Sequence, residues 1–199
     1  MSATTLLPIL ASTTAVLVLV VPLVRSWVRY GTFALLPPKT ELQRFLHAAF
    51  GATLVGYGVW TALLRLLGPE PLGVATPPTA AVVLGLAVAV AGLAVVVLAQ
   101  AQMGASWRIG IDERPTGLVT HGLFRFSRNP IYLGMVVVTV GVALVAPSGW
   151  TVMGAVLAYV VVGFQARAEE EHLARVHGEA FQAWAARTGR FLPWFGRLG

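Results

Sequence analysis

Along this 199-residue chain, uncharged stretches of membrane-crossing length alternate with short polar connections. Leu6 to Val24 is a run of 19 residues without a charge, long enough as a helix to cross a hydrocarbon core of about 30 Å. Arg25, Trp27, Arg29 and Tyr30 follow it, a mixture suited to the water interface. No basic residue precedes the run, so it reads as a retained helix and not as a cleaved leader. Pro37-Pro38 closes the connection. Thr40 with Gln43 predicts a capped start for a second helix, whose apolar body runs from Phe45 to Leu64. The Gly- and Pro-rich stretch from Arg65 to Pro78 leads to a third span over roughly 79–101.

Ile131 to Phe164 is 34 residues without a charge, too long for one span. Ala146-Pro147-Ser148-Gly149 predicts the break. Each half then holds only ~22 Å of uncharged helix against a ~30 Å core. The fifth helix therefore has to continue past Phe164, to about His177, with Gly178 as terminator. That extension sets Arg167, Glu169, Glu170 and Glu171 at the edge of the hydrocarbon. Residues 179–188 predict a short interfacial helix carrying Phe181 and Trp184 on one side. The pattern describes an all-α integral membrane protein of about five transmembrane helices plus a C-terminal interfacial helix. Two spans fall in 1–78, and a core of three spans with a polar connection at 104–129 falls in 79–199.

Composition agrees: 57% of residues are hydrophobic and 11% charged, against about 25% charged in soluble domains. There is no cysteine, which removes disulfides, thiolate metal sites and cysteine nucleophiles together. The net charge of +6 forms no basic run, so no nucleic-acid partner is expected. Of the 14 cations, all but Arg65 fall in the first and third connections and the tail. By the bias of Lys and Arg toward the cytoplasm, this predicts an outside N-terminus and an inside C-terminus. A single Lys among Arg-, Ala- and Gly-rich sequence suggests a bacterial protein, and hence the bacterial inner membrane. Gly85/Gly92 and Gly134/Gly141, each seven apart, predict close helix packing.

Two polar clusters carry the candidate chemistry. Ser127-Arg128-Asn129-Pro130 opens the fourth helix, with Asn129 as a favoured cap and Pro130 at the first helical position. Tyr132 shares a face with Asn129. Free amides at such a start attract anions, and Arg125 and Arg128 add charge beside them. Arg167 and Glu171 have the spacing of an intrahelical pair, which leaves Glu169 and Glu170 as candidates for ligand hydroxyls or an ammonium. Glu169 and His172 share metal-ligand spacing, but no other span has an acidic residue in its interior, so no metal is expected. His47 reads as a packed residue of the second helix, and His121 and His177 as loop and helix-end residues.

Leu118-Val119-Thr120-His121-Gly122-Leu123-Phe124-Arg125-Phe126-Ser127-Arg128-Asn129-Pro130-Ile131-Tyr132 resembles the signature of the isoprenylcysteine carboxyl methyltransferase and phospholipid methyltransferase superfamily. Glu169-Glu170-x-x-Leu173, then Gly178, Phe181 and Trp184, is similar to that superfamily's tail. The resemblance spans about 100–194. It implies an enzyme with S-adenosylmethionine as methyl donor and a lipid or other lipophilic acceptor entering from the bilayer. Carried over by position, it implies donor contacts at Thr116, Gly117, Leu118, Val119, Phe124, Arg128, Asn129, Tyr132, Glu169 and Glu170. It further implies catalytic roles for Arg167, Tyr132 and Asn129, with Arg167 at the acceptor. Asn129 stands where the signature often has His, Phe124 where it has Tyr, and Phe181 and Trp184 where it has tail tyrosines. A sulfonium methyl is already activated, so holding the partners in line and excluding water is the main task. With no obvious central base, an anionic carboxylate or thiolate acceptor is expected. An NADPH-dependent membrane reductase of the sterol-reductase kind and a non-catalytic membrane binding protein remain the alternatives.

Overall fold

The structure is a computed structural model that describes residues 3–31, 34–38, 40–107 and 117–197. Its helices are α1 (Ala3–Ala15), a π-helical turn (Val16–Val20), α2 (Val21–Tyr30), α3 (Glu41–Leu67), α4 (Thr79–Met103), α5 (Pro130–Val145), α6 (Gly149–His177) and α7 (Glu179–Ala185). Among the described residues four helices are long and apolar enough to cross a membrane: Leu6–Tyr30, Glu41–Leu67, Thr79–Ser106 and Gly149–His177. The fifth apolar helix, α5, has 16 residues, or about 24 Å. The protein is an all-α integral membrane protein.

Local signals account for the helix ends. The Thr40 side chain accepts from Gln43 N (3.2 Å) and starts α3. At the break after α5, Ser148 and Thr151 cap α6 reciprocally, each side-chain oxygen accepting the other's backbone N–H. That pair lets the chain reverse at Pro147 without stranding amides in an apolar region. Downstream, α6 runs past Phe164 to His177 and ends at Gly178, whose φ of 50° favours glycine.

The α4–α5 pair is the rigid centre. Gly85 faces Gly141, and Gly92 faces Gly134, in antiparallel register. A Cβ at Gly92 would lie 2.7 Å from the Gly134 carbonyl oxygen, and one at Gly141 would lie 2.6 Å from that of Gly85. The backbones are thus in direct contact, which is the packing the paired glycines predicted. The π-helical turn adds a second tie: buried Gln100 donates to the Val18 carbonyl (2.9 Å), and Arg25 caps the Gln100 carbonyl (2.7 Å). The α2 end is thereby fixed to the α4 end.

Gly141→Val should lower the melting temperature in detergent strongly, because overpacking costs about 1–3 kcal/mol and backbone is the obstacle here. Gly163→Ala on α6, where an added Cβ meets nothing within 4 Å, should hold or raise it. Circular dichroism melts of the two variants check the contrast; equal melts would contradict the glycine seam.

Candidate functional site

At the end of the bundle where α4 finishes and α5 begins, the C-terminal tail folds back over the start of α5. Arg128 N donates to Gly189 O (2.8 Å) and Asn129 N to Arg190 O (3.1 Å), a short parallel bridge. A Cβ on Gly189 would sit 1.8 Å from the Leu192 carbonyl oxygen, so that position excludes any side chain. Trp184 on α7 donates to the Phe124 carbonyl (3.0 Å) and packs edge-on against Phe181 at 5.8 Å. Gln102 receives Leu123 N (2.8 Å) and holds the 122–125 turn onto α4.

The buried Glu170 carboxylate lies at the centre of this closure. Arg128 grips both its oxygens, through Nε (3.1 Å) and Nη2 (3.2 Å). Arg190 does the same from the tail, with Nη2 at 2.9 Å. Asn129 Nδ2 adds a bond at 2.8 Å and reaches the Arg190 carbonyl. Arg128 also donates to the carbonyls of Ala185 (3.0 Å), Thr188 and Gly196 (2.8 Å). A guanidinium has five N–H donors, and here all five are used.

This changes what the two sequence clusters do. Asn129 stands at the cap position of α5, but its side chain makes no capping bond; its amide goes to Glu170 instead. The anion that docks at this helix start is the protein's own carboxylate. Arg128 and Asn129 still border the cavity described next, whereas Glu170 does not.

A cavity of about 180 Å³ opens beside the clamp. Its polar floor is Tyr132, Gln165 and Glu169: the Tyr132 hydroxyl and Gln165 Nε2 (2.8 Å) both donate to Glu169 Oε1. Among the described residues nothing donates to Oε2. Gly117, Leu118, Val119, Phe124 and Trp184 form one wall. Val18 and Leu19 of the π-helical turn and Leu46, His47 and Phe50 of α3 form another part of the wall. Gln100, Trp107 and Met135 also line it.

Of the sequence-expected residues, the structure brings together Gly117, Leu118, Val119, Phe124, Arg128, Asn129, Tyr132 and Glu169 around this cavity. Thr116 lies outside the described residues. Arg167 is exposed and does not line the cavity. On a helix it stands about 200° round from both Gln165 and Glu169, so the face that presents those two turns Arg167 away. Sequence reasoning missed His47, Gln165 and Arg190. Gln165 had a legible signal, an amide one turn before a glutamate at the end of an uncharged run. Arg190 had none, since its partner is 20 residues away.

The phospholipid methyltransferase family model (PEMT) matches residues 80–180, half of the chain. Among curated proteins, none matches the sequence. A solved structure, the eukaryotic intramembrane Ras methyltransferase ICMT (isoprenylcysteine carboxyl methyltransferase), is similar with a TM-score of 0.54 at 16% identity. The likeness covers 81% of this chain and 56% of that one, so it speaks for the fold, and the chain spans little more than half of that protein.

The adjacent glutamates should separate in a stability measurement. Glu170→Ala leaves two arginines facing a buried void, and breaking a buried pair costs about 3–5 kcal/mol, a melting drop on the order of 10 °C. Glu169→Gln loses at most one hydrogen bond's worth, about 1.5 kcal/mol. Thermal melts of both variants in one detergent decide it; a larger loss in Glu169→Gln would contradict the assignment.

Proposed function

Because the chain belongs to the phospholipid methyltransferase family, we propose that it transfers the methyl group of S-adenosylmethionine to a lipophilic acceptor at the membrane face where its cavity lies. The observation that carries this reading is the cavity-lining Glu169 carboxylate, held on Oε1 by Tyr132 and Gln165 while nothing among the described residues donates to Oε2. Such an oxygen suits ribose hydroxyls or the ammonium of an amino acid. Phe124 and Trp184 offer apolar surface for a purine, and Gly117, Leu118 and Val119 supply backbone donors and acceptors. When bound, the sulfonium brings a methyl group already activated for transfer. The protein has to orient the partners and keep water out.

Val18 and Leu19 of the π-helical turn, Phe50 of α3 and Met135 of α5 give the acceptor an apolar path. The anionic acceptor expected from the sequence finds less support. A buried carboxylate needs a cationic partner, yet Arg128 has no donor left and Arg167 lies outside. Among the described lining residues, an uncharged acceptor group fits better. The cations gathered at this end (Arg25, Arg44, Arg125, Arg187) favour a cytoplasmic position for the cavity, where a nucleoside cofactor is available.

S-adenosylhomocysteine at 100 times its dissociation constant should stabilise the purified protein by about 2.7 kcal/mol, seen as a raised melting temperature, while NADPH should give no shift. Glu169→Gln should weaken S-adenosylhomocysteine more than about tenfold, the scale of a hydrogen bond to a charged group. Arg167→Lys should bind as the wild type does. A wild type that is folded but indifferent to S-adenosylhomocysteine would refute the reading.

A further inference from the structure

One titratable side chain of the cavity is left unused by the clamp and by the Tyr132–Gln165–Glu169 floor. His47 sits in the second turn of α3, half-buried, and lines the cavity with Leu46 and Phe50. Among the described residues it makes no hydrogen bond or ion pair. Its neighbours on that wall, Val18, Leu19, Leu46 and Phe50, are apolar. A half-buried ring on the cavity lining with no protein partner among the described residues is free to bond a ligand there. His47 also lies outside the part of the chain that matches the family, which begins at residue 80.

The other charged groups of the cavity are already engaged. Arg128 is saturated with acceptors. Glu169 is engaged by Tyr132 and Gln165 and, in the reading above, by the methyl donor. An imidazole is the side chain best suited to accept a proton near neutral pH. The same lining lacks a free cation among its described residues, which disfavours a carboxylate acceptor and favours a neutral one that must lose a proton.

We propose that His47 is a catalytic residue, the proton acceptor for an uncharged hydroxyl or amine nucleophile carried on a lipophilic acceptor. The proposal rests on the methyltransferase reading of the same cavity. As the acceptor's lone pair forms its bond to the methyl carbon, the carbon–sulfur bond breaks and its electron pair stays on sulfur, which becomes a neutral thioether. The acceptor's proton passes to the free imidazole nitrogen of His47, and the imidazolium later returns it to water. The product is a methyl ether or an N-methylamine, not a methyl ester.

Purified wild type and His47→Ala, given methyl-labelled S-adenosylmethionine and a bacterial membrane lipid extract, test this directly. Label should enter a lipid product that survives mild base. His47→Ala should lose about 100-fold or more of the turnover, the scale of general-base catalysis. It should keep wild-type affinity for S-adenosylhomocysteine and recover turnover in part with added imidazole. A base-labile methyl ester, or turnover in His47→Ala equal to the wild type, would overturn the proposal. A second readout needs no turnover. The 15N-imidazole signal of His47, identified by its loss in His47→Gln, should move when octylphenol is added and stay in place with S-adenosylhomocysteine alone. A signal indifferent to octylphenol would overturn it as well. Failure of the wild type to bind S-adenosylhomocysteine would instead remove the methyltransferase reading on which the proposal stands.

Discussion

The buried carboxylate of Glu170 holds three separate pieces of chain in one place. Arg128 comes from the turn before α5, Arg190 from the tail, and Glu170 itself from the end of α6. Removing ions from water is expensive and is offset only when geometry and further hydrogen bonds are good. Here both conditions are met: the carboxylate is gripped on both oxygens and the Arg128 guanidinium spends every donor. The carbonyls of Ala185, Thr188 and Gly196 are thereby fixed, and with them α7 and the tail. One residue earlier on α6, about 100° round the helix, Glu169 faces the cavity. The clamp sets the rotation of α6 at this level, so the floor of the cavity depends on a contact that no ligand needs to touch.

The remaining walls are fixed by backbone contact more than by side chains. Glycines on α4 and α5 bring the two helices together with no room for a Cβ, and this seam places Met135 and Tyr132 relative to Gln100. The π-helical turn at Val16–Val20 is anchored where Gln100 reaches the Val18 carbonyl. Such turns occur often at functional sites because they offset the helix face by part of a turn. Here the residues it presents, Val18 and Leu19, form the apolar side of the cavity.

Much of this was legible in the chain. The uncharged runs, the Pro147 break and the need for α6 to outlast Phe164 gave five apolar helices, because hydrocarbon thickness sets helix length directly. The paired glycines gave the α4–α5 seam. The site was less legible. That Arg128, Asn129 and Glu170 answer one another across 42 residues is a tertiary fact with no periodic signature. Read locally, Arg128 and Asn129 looked like an anion site open to a ligand, and Glu170 like an acceptor for ligand hydroxyls or an ammonium. Arg167 looked close to Glu169 in sequence but faces away, since a step of two on a helix is nearly half a turn. His47 was read as packing because nothing near it in sequence suggested a cavity; α3 had to be laid beside α6 before it acquired a role.

The central claim is that the cavity floored by Tyr132, Gln165 and Glu169 receives the methyl donor. Ultraviolet crosslinking of labelled S-adenosylmethionine to the purified protein, followed by peptide mapping, addresses it most directly. The account predicts adducts confined to peptides that carry residues 117–135, 161–173 or Trp184, abolished by excess S-adenosylhomocysteine. Competable adducts on peptides remote from this cavity, such as the α3 end near Leu64 or the α5–α6 turn, would contradict it.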